Sequence, residues 1–150
     1  MSFLKHNKTI AILMLIVAVV GFADATYLTI EHFTGGVILC GLTSGCDIVT
    51  TSVYSKLFGV PIALLGVFYY FSVIFGLVAY LDSKDEKFFF WLAHYTGAGF
   101  GASLIFVVLQ VFIIKSICLY CMLSAMSSTI IYYLAHQVHK NHKSMKKNYE

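Results

Sequence analysis

The sequence contains no arginine, and only 11% of its 150 residues are charged. An ordinary soluble domain is about 25% charged, and a chain this short leaves much of its surface wet. Ten lysines and seven acids cannot cover that surface. The shortage excludes a soluble single domain, a disordered chain and a coiled coil. The net charge of +3 is small and the lysines form no stripe, so nucleic acid is not an expected partner. There is no internal repeat and no low-complexity segment.

What fills the chain is apolar: 59% of residues are hydrophobic and 16% aromatic. Four segments reach the ~20 residues a spanning helix needs. They run at about 9–30, 61–81, 88–114 and 117–135. They are continuously apolar and lack the alternation of a barrel strand, and lipid requires their backbone groups to pair internally. The expected fold is an all-α membrane protein, one four-helix bundle over residues 1–150.

Lysine placement orients it. Lys5 and Lys8 precede the first segment, Lys84 and Lys87 separate the second and third, and Lys140, Lys143, Lys146 and Lys147 follow the fourth. With four spans all of these fall on one side, the cytoplasm, leaving Lys56 and Lys115 opposite. Both termini are then cytoplasmic, and 136–150 is a basic tail. Ala23-Asp24-Ala25 resembles a signal-peptide cleavage site, but the apolar run continues to Ile30, which favours a retained span.

The external loop 31–60 is long enough to carry structure or function. Val49, Val53, Tyr54 and Leu57 recur at helical spacing, Asp47 suits a helix start and Gly59 a helix end. A short amphipathic helix at the interface is expected. Pro61 fits the first turn of the second spanning helix.

The topology puts all four cysteines on the external face. Cys40 and Cys46 lie in the loop, and Cys118-Leu119-Tyr120-Cys121 opens the fourth helix. That compartment permits disulfides. A C-x-x-C at a helix start, with Ser116 as its expected N-cap, brings two sulfurs onto one face and favours a thiolate. Two other readings remain at this point: a structural zinc site, disfavoured by the five residues between Cys40 and Cys46, and two static disulfides.

The stretch Cys46-Asp47-x-Val49-x-x-Ser52-x-Tyr54-Ser55, then Gly59-Val60-Pro61 and Gly66, continues with Leu109-Gln110, Cys118-x-x-Cys121 and Ser124-Ala125. From about Gly21 to Ala125 this pattern resembles the vitamin K epoxide reductase family in its short prokaryotic form. The resemblance implies a four-helix bundle around a quinone of the menaquinone or ubiquinone type. It implies that Cys118 and Cys121 form the active-site pair and that Cys40 and Cys46 shuttle electrons to it. Cys40 would meet a reduced thioredoxin-fold partner, Cys46 would pass electrons to Cys118, and Cys121 would face the quinone. Ser52, Gln110 and Ser124 become candidate quinone-pocket residues. Many bacterial members of that family carry a fused thioredoxin domain, whereas this sequence runs to Glu150 without one, so a separate partner is expected. The implied enzyme is a multi-pass thiol:quinone oxidoreductase of the cell (inner or plasma) membrane. Its thiols would face the periplasm or its equivalent, and it would sustain disulfide formation. Quinone-epoxide reduction on the same scaffold is the alternative.

Asp24 is an acid inside a span, which marks either a functional group or a carboxyl wet at the interface. His32 is a candidate proton shuttle or a plain interface residue. Tyr80, Phe88, Phe89, Phe90 and Trp91 read as an aromatic belt. Gly97, Gly99 and Gly101 read as helix-packing residues distant from the thiols.

Overall fold

The computed structural model describes residues 2–35, 45–57, 59–83 and 86–149. In chain order these form α1 (Ser2–Thr34), α2 (Gly45–Thr51), a 3₁₀ turn (Val53–Ser55), a two-residue hairpin of β1 (Lys56–Leu57) and β2 (Val60–Pro61), α3 (Ile62–Ser83), α4 (Glu86–Val108), a π-helical turn (Leu109–Ile114) and α5 (Leu119–Tyr149). Among the described residues, three stretches are long and apolar enough to cross a membrane: Lys8–Thr34, Ile62–Ser83 and Phe89–Ile114. The helix α5 is more polar: hydroxyls (Ser124, Ser127, Ser128 and Thr129) interrupt its first half, and its second half is rich in His, Lys and Asn.

The packing face of α1 is a regular stripe. Ala11, Met14, Ala18, Gly21, Ala25 and Leu28 are buried at alternating steps of three and four residues, the spacing of a two-helix seam. Small residues dominate it, so α3 and α5 approach closely. Gly21 lies against the ring of Tyr70, where a Cβ would collide. The remaining faces are also apolar: Ile12, Ile16 and Val19 on α1, like Phe68, Phe71 and Phe75 on α3, are exposed. A helix apolar all round is the signature of lipid contact on its outer side. Gly35, at φ +66°, ends α1 in the left-handed conformation that closes many helices.

Three expectations change in detail. The loop helix stops at Thr51, before Val53 and Tyr54. Thr50, Thr51 and Ser52 each turn a hydroxyl back onto a carbonyl of Cys46, Asp47 or Val49, a bonding pattern that competes with helix continuation. Val53 is left 89% exposed. Gly59, at φ +85°, serves the hairpin turn rather than a helix end, and Pro61 pairs opposite Lys56 one residue before α3. The aromatic belt also divides. Phe90 and Trp91 are exposed, whereas Tyr80 and Phe89 are buried with ring centroids 4.7 Å apart. The Phe88 side chain lies outside the described residues.

Gly21→Val should lower the unfolding free energy in detergent micelles by about 1–3 kcal/mol, because the branched side chain must displace the buried Tyr70 ring. Gly101→Ala, where nothing lies within 4 Å of a new Cβ, should leave stability unchanged. Equal effects of the two would remove the close α1–α3 approach as the cause.

Candidate functional site

Three of the four cysteines share one buried cluster. Leu28 from α1, Cys46 and Val49 from α2, and Cys118 and Cys121 from the start of α5 pack together. Cys46 and Cys118 are 0% exposed and Cys121 is 9% exposed. Cys46 is held in a disulfide, while Cys118 and Cys121 are free thiols. Cys40 lies outside the described residues. Gly45 is what lets α2 reach the pair. A Cβ there would run into the Ile117 carbonyl, so a residue without one seats Cys46 beside Cys118.

The π turn aims the next group. Its wide ring ends where Lys115, at φ 54°, donates its backbone N–H to the Gln110 carbonyl. The Ser116 N–H shares that acceptor at 3.2 Å. Such turns concentrate at functional sites. Gln110 is 0% exposed, and its Oε1 accepts the Cys118 N–H at 3.0 Å. Cys118 then caps α5: the Cys121 N–H donates to Cys118 Sγ at 3.4 Å, and the Met122 N–H to the Cys118 carbonyl at 3.0 Å. The N-cap is therefore Cys118, not Ser116, because residues 115–118 lie outside any helix and α5 starts at Leu119. The sulfur occupies the place of a capping hydroxyl. Cys118 precedes α5 and lies outside the spanning helices. Its hydrogen bond with Cys121 holds its thiol below the ordinary value, against the opposing effect of burial. Tyr120, between the two cysteines, packs on Tyr27 with ring centroids 5.2 Å apart.

Beside the sulfurs is a cavity of about 690 Å³ whose wall is mostly apolar. Cys121 lines it; Cys118 and Cys46 do not. That volume is in the range of small-molecule sites. Its polar groups are few. Tyr70 donates to the Ser124 carbonyl at 2.7 Å and lies 2.7 Å from Ser127 Oγ and 3.1 Å from Ser124 Oγ. Tyr69 packs tilted on Tyr95, with ring centroids 5.6 Å apart, and lies against Gly99, where a Cβ would meet its ring.

The expected pocket residues separate. Ser124 lines the cavity. Gln110 does not; its side chain holds the Cys118 backbone. Ser52 does not either, since its Oγ bonds the Val49 carbonyl at 2.7 Å, although its neighbours Val53 and Ser55 are in the wall. His32 lines the cavity. Asp24 is 7% exposed and therefore not a wet interface group. Gly99 was expected far from the thiols, yet it lines the same cavity as Cys121, because Tyr69 leans across onto it. Tyr69, Tyr70 and Tyr95 carried no motif. Their only sequence signal was polar-tipped aromatics facing helix glycines. Among the described residues no group of three or more His, Cys, Asp or Glu could hold a metal ion, and the Cys46 sulfur is committed to a disulfide.

The model of the Vitamin K epoxide reductase family matches residues 12–136. The Thiol-disulfide oxidoreductase LTO1 of Arabidopsis thaliana is 33% identical over 121 residues, which are 75% of this chain and 32% of that protein. The chain thus spans about a third of the length of that relative.

Two outcomes follow from the local geometry. Gln110→Leu leaves the buried Cys118 N–H without an acceptor and should cost about 1–3 kcal/mol of stability, read by denaturant unfolding; an unchanged midpoint would count against the bond. Alkylation of Cys118 should have its pH midpoint below that of an ordinary thiol, since a lowered value means the thiolate forms at lower pH. Cys121→Ala should move that midpoint upward, and mass spectrometry of the labelled peptide would show it.

Proposed function

The chain belongs to the vitamin K epoxide reductase family, an oxidoreductase family, and on that premise we propose that it oxidises protein thiols with a membrane quinone as acceptor. One observation carries the reading. Cys121 belongs at once to the buried sulfur cluster and to the wall of the apolar cavity. A sulfur in both places can take electrons on one side and release them on the other.

The relay runs inward. A reduced thioredoxin-fold protein attacks the loop disulfide at Cys40, and the electrons reach Cys46. The Cys46 thiolate then attacks the inner pair at Cys118 through a mixed disulfide. The buried contact of Cys46 with Cys118 and Cys121 supports this step. A disulfide at Cys46 with thiols at Cys118 and Cys121 fits the stage after electrons have moved inward. Cys121 next reduces the quinone, and the inner disulfide closes. The quinone supplies the two-electron acceptor, and its potential relative to the partner's sets the direction, with 30 mV worth about 1.4 kcal/mol.

In this reading the cavity holds the quinone head. Ser124 and Tyr69 offer hydroxyls to the ring oxygens, and Gly99 gives the Tyr69 ring its place in the wall. Gln110 and Ser52 support the site from behind: one fixes Cys118, the other ends α2. The helix α5 is the fourth span, its serines turned to the cavity and not to lipid. With four spans the lysine distribution places both termini in the cytoplasm and the cysteines outside.

Anaerobic mixing of reduced partner, protein and quinone, followed by quinone absorbance, tests the whole scheme. Cys118→Ala and Cys121→Ala should each abolish quinone reduction, and Cys40→Ala should block the protein donor while sparing dithiothreitol. Normal turnover without the inner pair would end the proposal, and equal loss with both donors would end the shuttle role of Cys40.

A further inference from the structure

The hydroxyls in the cavity wall differ in what their protons do. Thr50 donates to the Cys46 carbonyl at 2.8 Å, Ser55 to the Ser52 carbonyl at 2.7 Å and Tyr70 to the Ser124 carbonyl at 2.7 Å. Ser128 donates to the Tyr69 oxygen at 3.5 Å. Tyr69 accepts that bond, and among the described residues no protein oxygen takes its own proton. Tyr54 and Tyr95 also keep their protons, but they are 47% and 42% exposed. Ser103 is shared with a second groove beside Met122 and Met126. Tyr69 is thus the half-buried phenol in this wall whose O–H is left for a ligand.

The position of that O–H is built. A Cβ at Gly99 would collide with both the ring and the hydroxyl oxygen of Tyr69, so α4 leaves its side chain out where the phenol tip lies. Tyr95 packs on the same ring. A phenol that accepts one hydrogen bond also donates a stronger one. The α5 helix gives the scale. Cys121, Ser124 and Ser128 follow one another by three and four residues, and all three line the cavity. At a rise of 1.5 Å per residue, Ser124 stands about 4.5 Å and Ser128 about 10 Å along the axis from Cys121. The Tyr69 hydroxyl, bonded to Ser128, therefore marks the end of the cavity remote from the sulfur. A ring with an oxygen at each end fits that order, one oxygen toward Ser124 and the other toward Tyr69. We propose that Tyr69 is a catalytic residue that donates its hydrogen bond to the ring oxygen remote from Cys121, and so sets which way the quinone lies.

This role rests on the thiol:quinone reading above. As the S–S bond forms between Cys118 and Cys121, the pair loses two electrons and two protons, and these convert the quinone to the quinol. Negative charge builds on both ring oxygens as the electrons arrive. The near oxygen has Cys121 and Ser124 beside it, whereas the far one depends on the opposite wall. Tyr69 keeps its proton and stabilises the charge there. A fixed donor in an apolar cavity is worth more than the same donor in water.

The test uses the full chain in micelles with Tyr69→Phe, which keeps the ring and removes the donor. With dithiothreitol as donor and a short-chain 1,4-quinone as acceptor, kcat should fall about 100-fold with KM little changed. Gly99→Ala, which keeps the hydroxyl but displaces it, should also lower kcat, and Gly101→Ala should not. The pH midpoint of Cys118 alkylation should stay as in the wild type, which a collapse of the site would not allow. A separate arm needs no turnover. Infrared spectra of the same quinone, bound at saturation and labelled with carbon-13 at one carbonyl, should show two unequal carbonyl bands in the wild type. The lower band should rise in Tyr69→Phe. Wild-type kcat in Tyr69→Phe would overturn the role, as would a raised KM at unchanged kcat, or a loss of turnover that runs parallel to a shifted alkylation midpoint. If the wild-type chain binds the quinone without reducing it, the function above falls first. The infrared arm then decides for Tyr69 alone, and an unmoved carbonyl band overturns it.

Discussion

A helix that begins inside an apolar bundle must find partners for its first N–H groups without help from water. The start of α5 meets this requirement with sulfur and amide. Gln110 takes the Cys118 N–H, and Cys118 Sγ takes the Cys121 N–H. The rest of the site depends on that solution. It fixes both thiols at the end of one helix and draws Cys118 into the core. It also leaves Cys121 one turn on, against the cavity. The π turn before it exists to swing Gln110 into reach, and the left-handed Lys115 ends that turn so that the chain can reverse. In the proposed exchange, capping and chemistry are served by the same atoms. The donor that completes the helix also favours the thiolate that exchange requires.

The coarse architecture was legible because lipid imposes a simple rule. Long uncharged runs become helices, and three of the four expected runs are long and apolar enough to span. Which face of each helix points inward was not legible. In water the buried face is the apolar one, but here Ile16 and Phe71 look outward while Ala18 and Tyr70 look inward. Hydrophobicity does not distinguish the sides, whereas size and hydroxyl content do. The alternating small residues from Ala11 to Ala25 carried that signal on α1. On α5 the serines lowered the apolar character of the segment and at the same time marked the face turned to the cavity.

The sulfur pattern was equally plain in sequence, and the cavity was not. Cys118 and Cys121 announce themselves by spacing. The wall opposite Cys121 is built from Tyr69, Tyr70, Tyr95 and Gly99, which lie on two other helices and meet only in the folded bundle. Gln110 shows why residue type alone misleads. An amide near the outer end of a span suggests a ligand for a polar head group, yet its oxygen is spent on a backbone N–H eight residues later. The loop helix was overextended for a related reason. Its apolar spacing continued to Leu57, but three consecutive hydroxyl side chains bonding backward stopped it at Thr51.

In the proposed relay, separation of the two exchanges follows from burial. If the acceptor could reach Cys46 directly, the inner pair would be redundant, and if the partner could reach Cys121, the loop would be. Cys46 and Cys118 are wholly buried and absent from the cavity wall, whereas Cys121 is in it. Gly45 enforces the arrangement from the loop side, since any side chain there would push α2 off the Ile117 carbonyl and Cys46 with it. In the proposed relay, electrons arriving at the loop would enter the inner pair through Cys118, which packs in one buried cluster with Cys46.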